Sequence, residues 1–258
     1  MVKAVPSILA QIVEHKKLEL RERARGLQAR AEASLGARRD FARALTSRRP
    51  AIVAEVKQAS PSKGTLSADY KPSLIARAYE QGGAVALSVL TDEKYFRGNL
   101  ADLESARAAV SLPVLRKDFT IDSYHVEEAA AHGADAILLI AAILSERELR
   151  DFRELAEQYQ MAALVEVHDE EELKPAVASG ARIIGVNNRN LNTFDVDISV
   201  SLRLAEKIPS GIVKITESGI HSRADVERLV GAGYDAFLVG EHLMRSADPA
   251  QALRALLA

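Results

Sequence analysis

The 258-residue sequence contains no cysteine and no tryptophan, and only 5% of its residues are aromatic. The absence of cysteine excludes disulfide bonds, thiolate catalysis and cysteine-ligated metals, and it suits the reducing cytoplasm, where we expect the protein to act. No apolar run approaches the ~20 residues of a membrane-spanning helix, and residues 1–18 lack the apolar core of a secretory signal. The formal net charge of −2 provides no general attraction to nucleic acid or to an anionic membrane.

Apolar residues make up 48% of the chain, which is enough for a large core in one domain. Short apolar runs recur after residue 50, and each predicts a buried strand. The runs cover 51–56, 85–89, 114–115, 136–140, 162–165, 183–186, 213–215 and 236–239. Amphipathic segments of helical length separate them, so the chain alternates between strand and helix.

Eight strand–helix units without a long spacer predict an α/β fold, the (β/α)8 or TIM barrel. A doubly wound open sheet is the alternative, but no dinucleotide-binding glycine fingerprint follows the first strand. Helices are also predicted over 6–31 and 41–45, ahead of the first strand. We therefore expect residues 1–258 to form a single barrel domain with 1–48 as an N-terminal helical extension, which either packs on the core or covers a site.

Charged and polar side chains follow most of the predicted strands. In a (β/α)8 barrel the carboxyl ends of the strands open into one bowl, where the chemistry takes place. The residues expected there are Glu55, Lys57, Lys117, Glu166, Asn187, Arg189 and Glu217. Each alone could be a structural ion pair, a solvated side chain or a helix cap, but burial of a charge is costly. Together they predict a functional site.

Lysines beside carboxylates in a partly dry pocket can donate and accept protons. Lys57 and Arg189 could hold a carboxylate of the substrate, and a Schiff base on Lys57 or Lys117 is conceivable. The six histidines are scattered, and no set of His, Asp and Glu shows metal-ligand spacing. We interpret the histidines as structural or surface residues.

Glycine stands at the exits of the last two predicted strands, in Ser218-Gly219 and Gly240-Glu241. Backbone N–H groups can approach an anion there, and phosphate often binds at this place in (β/α)8 barrels. The glycines could also serve turn geometry alone. The residues predict a lyase, isomerase or synthase that acts on a small phosphorylated and carboxylated substrate by acid–base chemistry.

Six segments carry a resemblance that covers nearly the whole chain: AEVKQASPSKG (54–64), ALSVLTD (86–92), PVLRKDF (113–119), LVEVH (164–168), IGVNNR (184–189) and ESGI (217–220). Together they resemble indole-3-glycerol-phosphate synthase. The resemblance implies 1-(2-carboxyphenylamino)-1-deoxyribulose 5-phosphate as substrate and indole-3-glycerol phosphate as product, with loss of carbon dioxide and water. It implies no cofactor and no metal, and we expect a monomer.

The resemblance also implies roles for matched residues. Lys117 corresponds to the general acid that protonates the ribulose carbonyl, and Glu166 to its carboxylate partner. Lys57 corresponds to the lysine that holds the substrate carboxylate, while Glu55 and Asn187 correspond to residues that orient substrate hydroxyls and assist proton transfer. Substrate contacts are implied for Ser60, Phe119, Arg189 and Glu217, and a phosphate cradle for Ser218, Gly219, Gly240 and the backbone of Glu241.

Two positions depart from the family pattern: Gln58 stands where a basic residue is common, and Asn190 where aspartate is common. Neither change removes a catalytic group. Phosphoribosylanthranilate isomerase, another phosphate-binding barrel, uses a cysteine base and is disfavoured because this chain has no cysteine. A phosphate-ligand-binding subunit without activity is the alternative from a different class, and it would bind the substrate without turnover.

Overall fold

The protein is a closed barrel of eight parallel strands, seen in a computed structural model that describes residues 7–22, 26–67 and 69–258. Each strand pairs with its neighbours in the chain, and the first pairs with the last. The strands are β1 (Ala51–Val56), β2 (Ala86–Leu90), β3 (Val114–Lys117), β4 (Ala136–Ile140), β5 (Ala162–Val167), β6 (Ile183–Asn187), β7 (Val213–Glu217) and β8 (Ala236–Val239). The predicted (β/α)8 barrel is confirmed, with strand ends within about two residues of those predicted.

Helices precede the barrel and connect its strands. They are α1 (Ser7–Glu22), α2 (Gln28–Ala33), α3 (Phe41–Thr46), α4 (Pro72–Gly82), α5 (Glu93–Phe96), α6 (Leu100–Ala109), α7 (Ser123–Ala131), α8 (Glu146–Gln158), α9 (Glu170–Ala178), α10 (Ser199–Leu204), α11 (Arg223–Gly231), α12 (Glu241–Met244) and α13 (Pro249–Leu257). None of these is long and apolar enough to cross a membrane, within the ranges described.

The single helix predicted over 6–31 is wrong, because α1 and α2 are separate helices. Gly26 lies between them with a φ of 119°, a backbone conformation that an α-helix does not contain. Residue 6 and residues 23–25, which belong to the same prediction, lie outside the described residues. The helix predicted over 41–45 is present as α3.

Alternating side chains along the strands form two apolar layers. Val53, Leu115 and Leu138 belong to a cluster inside the barrel, whereas Ile52 and Ile137 belong to the larger cluster beneath the helices. Helix α3 adds buried apolar side chains to the inner cluster and contacts β1, β2 and β7. It closes the amino-terminal end of the barrel, which leaves the carboxyl ends of the strands to form an open bowl.

Short elements that the sequence did not predict lie around this bowl. An antiparallel hairpin joins Ala59–Ser60 to Gly64–Thr65 after β1, and α5 and α12 follow β2 and β8 directly. Segments of two to four residues carry too little periodicity to be recognised in a sequence. They shape the loops that surround the site.

Candidate active site

A cavity of about 860 Å³ opens at the carboxyl ends of the strands. It is lined by every residue that the sequence assigned to the site: Glu55, Lys57, Ser60, Lys117, Phe119, Glu166, Asn187, Arg189, Glu217, Ser218, Gly219, Gly240 and Glu241. Helix α1 adds Ile8, Leu9 and Ile12 to the wall. The N-terminal extension therefore covers part of the site, as one of the two alternatives predicted.

Lys117 lies at the centre of the cavity between two buried carboxylates. Its Nζ atom is 2.8 Å from Glu166 Oε2 and 3.3 Å from Glu217 Oε2. Strands β3, β5 and β7 each end at or next to one of these residues, so the closed barrel brings together side chains that are far apart in the chain. Both glutamates are only 2% exposed. Charges that are buried away from water interact strongly with neighbouring charges, because the local dielectric constant is low.

Burial and ion pairing shift the pKa values of Lys117, Glu166 and Glu217 in different directions. Burial by itself would lower the pKa of Lys117, but Glu166, Glu217 and Glu55 outweigh it and raise that pKa. Burial would raise the pKa of Glu166, yet Lys117 and His168 lower it. For Glu217, burial and the nearby Glu166 raise the pKa. At this centre, Lys117 is therefore protonated and Glu166 is ionised, whereas the carboxyl group of Glu217 titrates near neutrality.

Glycines on neighbouring strands leave room for two of the carboxylates. A Cβ atom on Gly240 would lie 2.2 Å from Glu55 Oε1, and one on Gly185 would lie 2.4 Å from Glu217 Oε1. Both distances are far below van der Waals contact. The missing side chain of Gly240 thus leaves space for the carboxylate of Glu55, which is ion-paired with Lys57. The sequence did not indicate this role of Gly240.

Asn187 connects the ends of β6 and β7. Its Oδ1 atom accepts hydrogen bonds of 3.0 Å from the Arg189 backbone N–H and from the Ser218 hydroxyl. Ser218 has a φ of 66°, a left-handed conformation that costs a non-glycine residue roughly 1–3 kcal/mol and is typical of functional sites. Gly219 continues this turn with a φ of 80°.

Cations collect at the side of the cavity formed by β6 and β8. Arg189 Nη2 lies 3.4 Å from Glu241 Oε2, and Arg245 Nε lies 3.5 Å from Oε1 of the same glutamate. Lys63, from the loop after β1, approaches Glu241 Oε1 to 4.0 Å. Of these three cations, Lys63 and Arg189 line the cavity, and they place two positive side chains where an anionic group of a ligand could bind.

The opposite side of the cavity is apolar and aromatic. The rings of Phe96 and Phe119 lie with their centroids 6.0 Å apart, beside the α1 residues Ile8, Leu9 and Ile12. Such a wall suits a flat ring. The cavity is therefore polarised, with an apolar end, a lysine–carboxylate cluster in the middle and a cationic end.

Two residues next to the site, His168 and Lys16, were not among the site residues predicted from the sequence. His168 was interpreted as structural or surface, but its Nε2 atom lies 3.5 Å from Glu166 Oε1. Lys16 lies in α1 with only 2% exposure, and its spacing from Leu9 and Ile12 places it on their face of the helix. That position within an apolar stripe is the signal that could have identified Lys16. Among the described residues no group of three His, Asp or Glu side chains is arranged to hold a metal ion.

The sequence matches a family model described as indole-3-glycerol phosphate synthase over residues 9–256. A relative of that name from Micrococcus luteus is 48% identical over 261 residues, which cover 98% of this chain and 97% of the relative. Another from Koribacter versatilis is 52% identical over 207 residues, 80% of each chain.

Solved structures of low sequence identity share the fold. A thiamine phosphate pyrophosphorylase from Pyrococcus furiosus is 16% identical with a TM-score of 0.61, and the match covers 84% of this chain and 96% of that one. A protein titled KGPDC from Streptococcus mutans is 12% identical with a TM-score of 0.62, over 81% and 95% of the two chains. These likenesses support the barrel architecture.

The closed barrel, with a cavity and a buried lysine–carboxylate cluster at the carboxyl ends of its strands, has the architecture of a (β/α)8-barrel enzyme. The family match and the relatives at 48% and 52% identity specify it further. The chain belongs to the indole-3-glycerol phosphate synthase family, the decarboxylating lyases of tryptophan biosynthesis, which act on a small phosphorylated substrate. The resemblance found in the sequence is thus confirmed.

Proposed function

We propose that this protein converts 1-(2-carboxyphenylamino)-1-deoxyribulose 5-phosphate to indole-3-glycerol phosphate, with Lys117 as general acid. The aromatic carbon that carries the carboxylate attacks the ribulose carbonyl carbon, and Lys117 protonates the carbonyl oxygen as the new bond forms. The carboxylate then leaves as carbon dioxide, and the electron pair of the broken bond restores the aromatic ring. The resulting hydroxyl takes up a proton from a lysine and leaves as water, while the neighbouring carbon that bears the anilino nitrogen gives its proton to a carboxylate of the site, which completes the pyrrole ring. Three carboxylates keep Lys117 charged, so a cationic N–H donor faces the oxygen where negative charge develops.

The neighbouring residues support these steps. Glu166 stabilises the positive charge that develops on the anilino nitrogen or takes part in proton transfer, because it remains ionised next to Lys117. Lys57 holds the substrate carboxylate until it leaves, while Glu55 orients Lys57 through their ion pair. Asn187 orients the substrate hydroxyls. Lys57 and Lys117 both face the cavity, and both are candidates to protonate the leaving hydroxyl.

The polarised cavity supports one orientation of the substrate. The anthranilate ring would contact Phe119 and the α1 side chains at the apolar end. The phosphate would lie at the cationic end, held by Arg189 and by the backbone of Ser218, Gly219, Gly240 and Glu241. Ser60 would close the loop after β1 over the ribulose chain, and Glu217 would line the edge beside Lys117.

The position of Lys117 between Glu166 and Glu217 is the observation that carries this proposal. The test is the appearance of indole fluorescence when the substrate is added to the purified protein. The chain has no tryptophan, so the signal has no indole background. Turnover supports the proposal, whereas binding of the substrate without an indole signal would favour the binding-only alternative.

We further propose that the chain forms one barrel domain with 1–48 as its N-terminal extension, acting as a monomer in the cytoplasm. The inner and outer apolar clusters, which include residues of this extension, support the single domain. A phosphorylated biosynthetic substrate supports the cytoplasmic location. Light scattering after size exclusion would test the monomer, for which a mass near 28.0 kDa is expected.

A further inference from the structure

His168 lies next to the catalytic centre without a role in the proposed reaction. It follows β5 directly and stands two residues after Glu166. Its imidazole lies between two carboxylates, with Nδ1 2.9 Å from Glu172 Oε2 and Nε2 3.5 Å from Glu166 Oε1. The side chain is 14% exposed. A chain of contacts therefore runs from Glu172 through His168 and Glu166 to Lys117.

Glu172 fixes the imidazole from the first turn of α9. Its Oε2 atom accepts a hydrogen bond of 2.8 Å from the backbone N–H of His168, in addition to the ring contact. The buried carboxylate thus holds both the backbone and the ring of His168. With Nδ1 turned toward Glu172, Nε2 is directed at Glu166, as expected for a histidine whose second nitrogen is set by its partner.

The two oxygens of Glu166 have different partners. Lys117 contacts Oε2 at 2.8 Å, and His168 faces Oε1 at 3.5 Å. A carboxylate held between an ammonium and a protonated imidazole has a defined orientation and remains ionised. The longer contact leaves room to tighten when substrate fills the cavity, as catalytic hydrogen bonds often do.

We propose that His168 is a positioning residue: in its protonated form, held by Glu172, it orients Glu166 and keeps this carboxylate ionised opposite Lys117. The inference rests on the role of Glu166 in the proposed function. The charged groups that face His168 are Glu166 from β5, Glu172 from α9 and Glu217 from β7. Burial opposes protonation, but the hydrogen bond to Glu172 and the nearby Glu166 raise the pKa of His168.

Kinetics of His168→Asn and His168→Gln test the consequence for turnover. The asparagine side chain is too short to reach Glu166, so kcat should fall about tenfold with KM within about threefold of the wild type. The acid limb of the kcat profile should move up by about one pH unit, because Glu166 loses a neighbouring positive charge. Glutamine can donate a neutral hydrogen bond to Glu166 and should restore part of kcat.

His132→Gln is the matched control, because His132 also pairs with a glutamate through Nδ1, at 2.8 Å from Glu104 Oε1, but does not line the cavity. The His132→Gln variant should retain the kcat of the wild type and its dependence on pH. If His168→Asn keeps the wild-type kcat and acid limb, the positioning role is overturned.

A measurement without turnover separates this inference from the proposed function. The ring of His168 is followed by nitrogen-15 NMR in the wild type and in Glu166→Gln, with the signal assigned by its loss in His168→Gln. Coupling between the groups requires the pKa of His168 to fall by about one unit in Glu166→Gln, and likewise in Glu172→Gln. An unchanged pKa in Glu166→Gln overturns the inference even if His168→Asn fails to fold. An enzyme without the synthase reaction but with this coupling would instead refute only the proposed function.

Discussion

Lys16 Nζ lies 3.0 Å from Asp118 Oδ1, so the N-terminal helix is joined to the residue that directly follows Lys117. The same ammonium lies 3.0 Å from Asp92 Oδ2, at the exit of β2. Burial alone would lower the pKa of Lys16, but Asp118 and Asp92 raise it to about 12. Helix α1 is therefore held over the cavity by two interactions: apolar packing, and the ion pairs of Lys16 with the aspartates that follow β2 and β3.

Replacement of Lys16 by methionine should destabilise the protein and weaken substrate binding. The change keeps most of the side-chain length but leaves the buried Asp92 without this cation, which typically costs about 3–5 kcal/mol, whereas Asp118 keeps its ion pair with Arg116. Because α1 supplies part of the apolar wall, KM should rise about tenfold. Urea unfolding and steady-state kinetics measure the two effects.

Lys17→Met is the control for this variant. Lys17 is 54% exposed and pairs at the surface with Glu14, at 2.7 Å, so its loss should change stability by less than about 1 kcal/mol. Equal stability and equal KM for the two variants would contradict the proposed fixation of α1.

Lys117→Ala should lower kcat by a factor of about 10³ or more, because the cationic N–H donor that faces the developing oxyanion is lost. Binding of the product should persist, since the cationic end of the cavity is untouched. Indole fluorescence measures turnover, and displacement titration measures binding. Lys207→Ala, which removes an exposed lysine paired with Glu170, should behave like the wild type. Near-normal turnover of Lys117→Ala would refute its role as general acid.

Gly240→Ala should reduce kcat as well as raise KM. The new methyl group would overlap Glu55 Oε1, and displacement of Glu55 would disturb its ion pair with Lys57. We expect kcat to fall at least about tenfold. Gly231→Ala is the control, because a Cβ atom there meets no atom within 4 Å and its φ is not positive. A change in KM alone would mean that Gly240 serves the ligand and not Glu55.

Glu217 should make stability depend on pH. Burial and Glu166 raise its pKa to about 7 from an ordinary value of 4.5, so the folded state binds the proton more tightly than the unfolded state does. Its stabilising contribution is full below pH 4.5 and is lost as the pH rises to about 7. Relative to Glu217→Gln, the wild type should lose up to about 3 kcal/mol of unfolding free energy across this window.

Urea unfolding at a series of pH values measures this difference between wild type and Glu217→Gln. Glu227 lies on the exposed face of α11, so the unfolding free energy of Glu227→Gln should differ from that of the wild type by the same amount at every pH. A constant difference for Glu217→Gln from pH 4.5 to 7 would contradict the shifted pKa.

The repeating pattern of apolar runs was sufficient to predict the barrel. Buried parallel strands are continuous apolar segments, and the predicted first and last residues of β1, β4 and β8 agree with those in the structure. The closed topology also made strand-end residues such as Lys117 and Glu166 candidates for one site. Local periodicity carries no information on pairing across space, and so the contact of His168 with Glu166 and of Lys16 with Asp118 required the structure.

The space that Gly240 leaves for Glu55 links two positions that are 185 residues apart in the chain, at the first and last strands of the barrel. Selection on either position is thus selection on the pair. A larger side chain at 240 fits only when Glu55 is shortened, and either change made alone disturbs the ion pair of Glu55 with Lys57. Libraries that aim to give this barrel a new activity should therefore vary both positions in the same step.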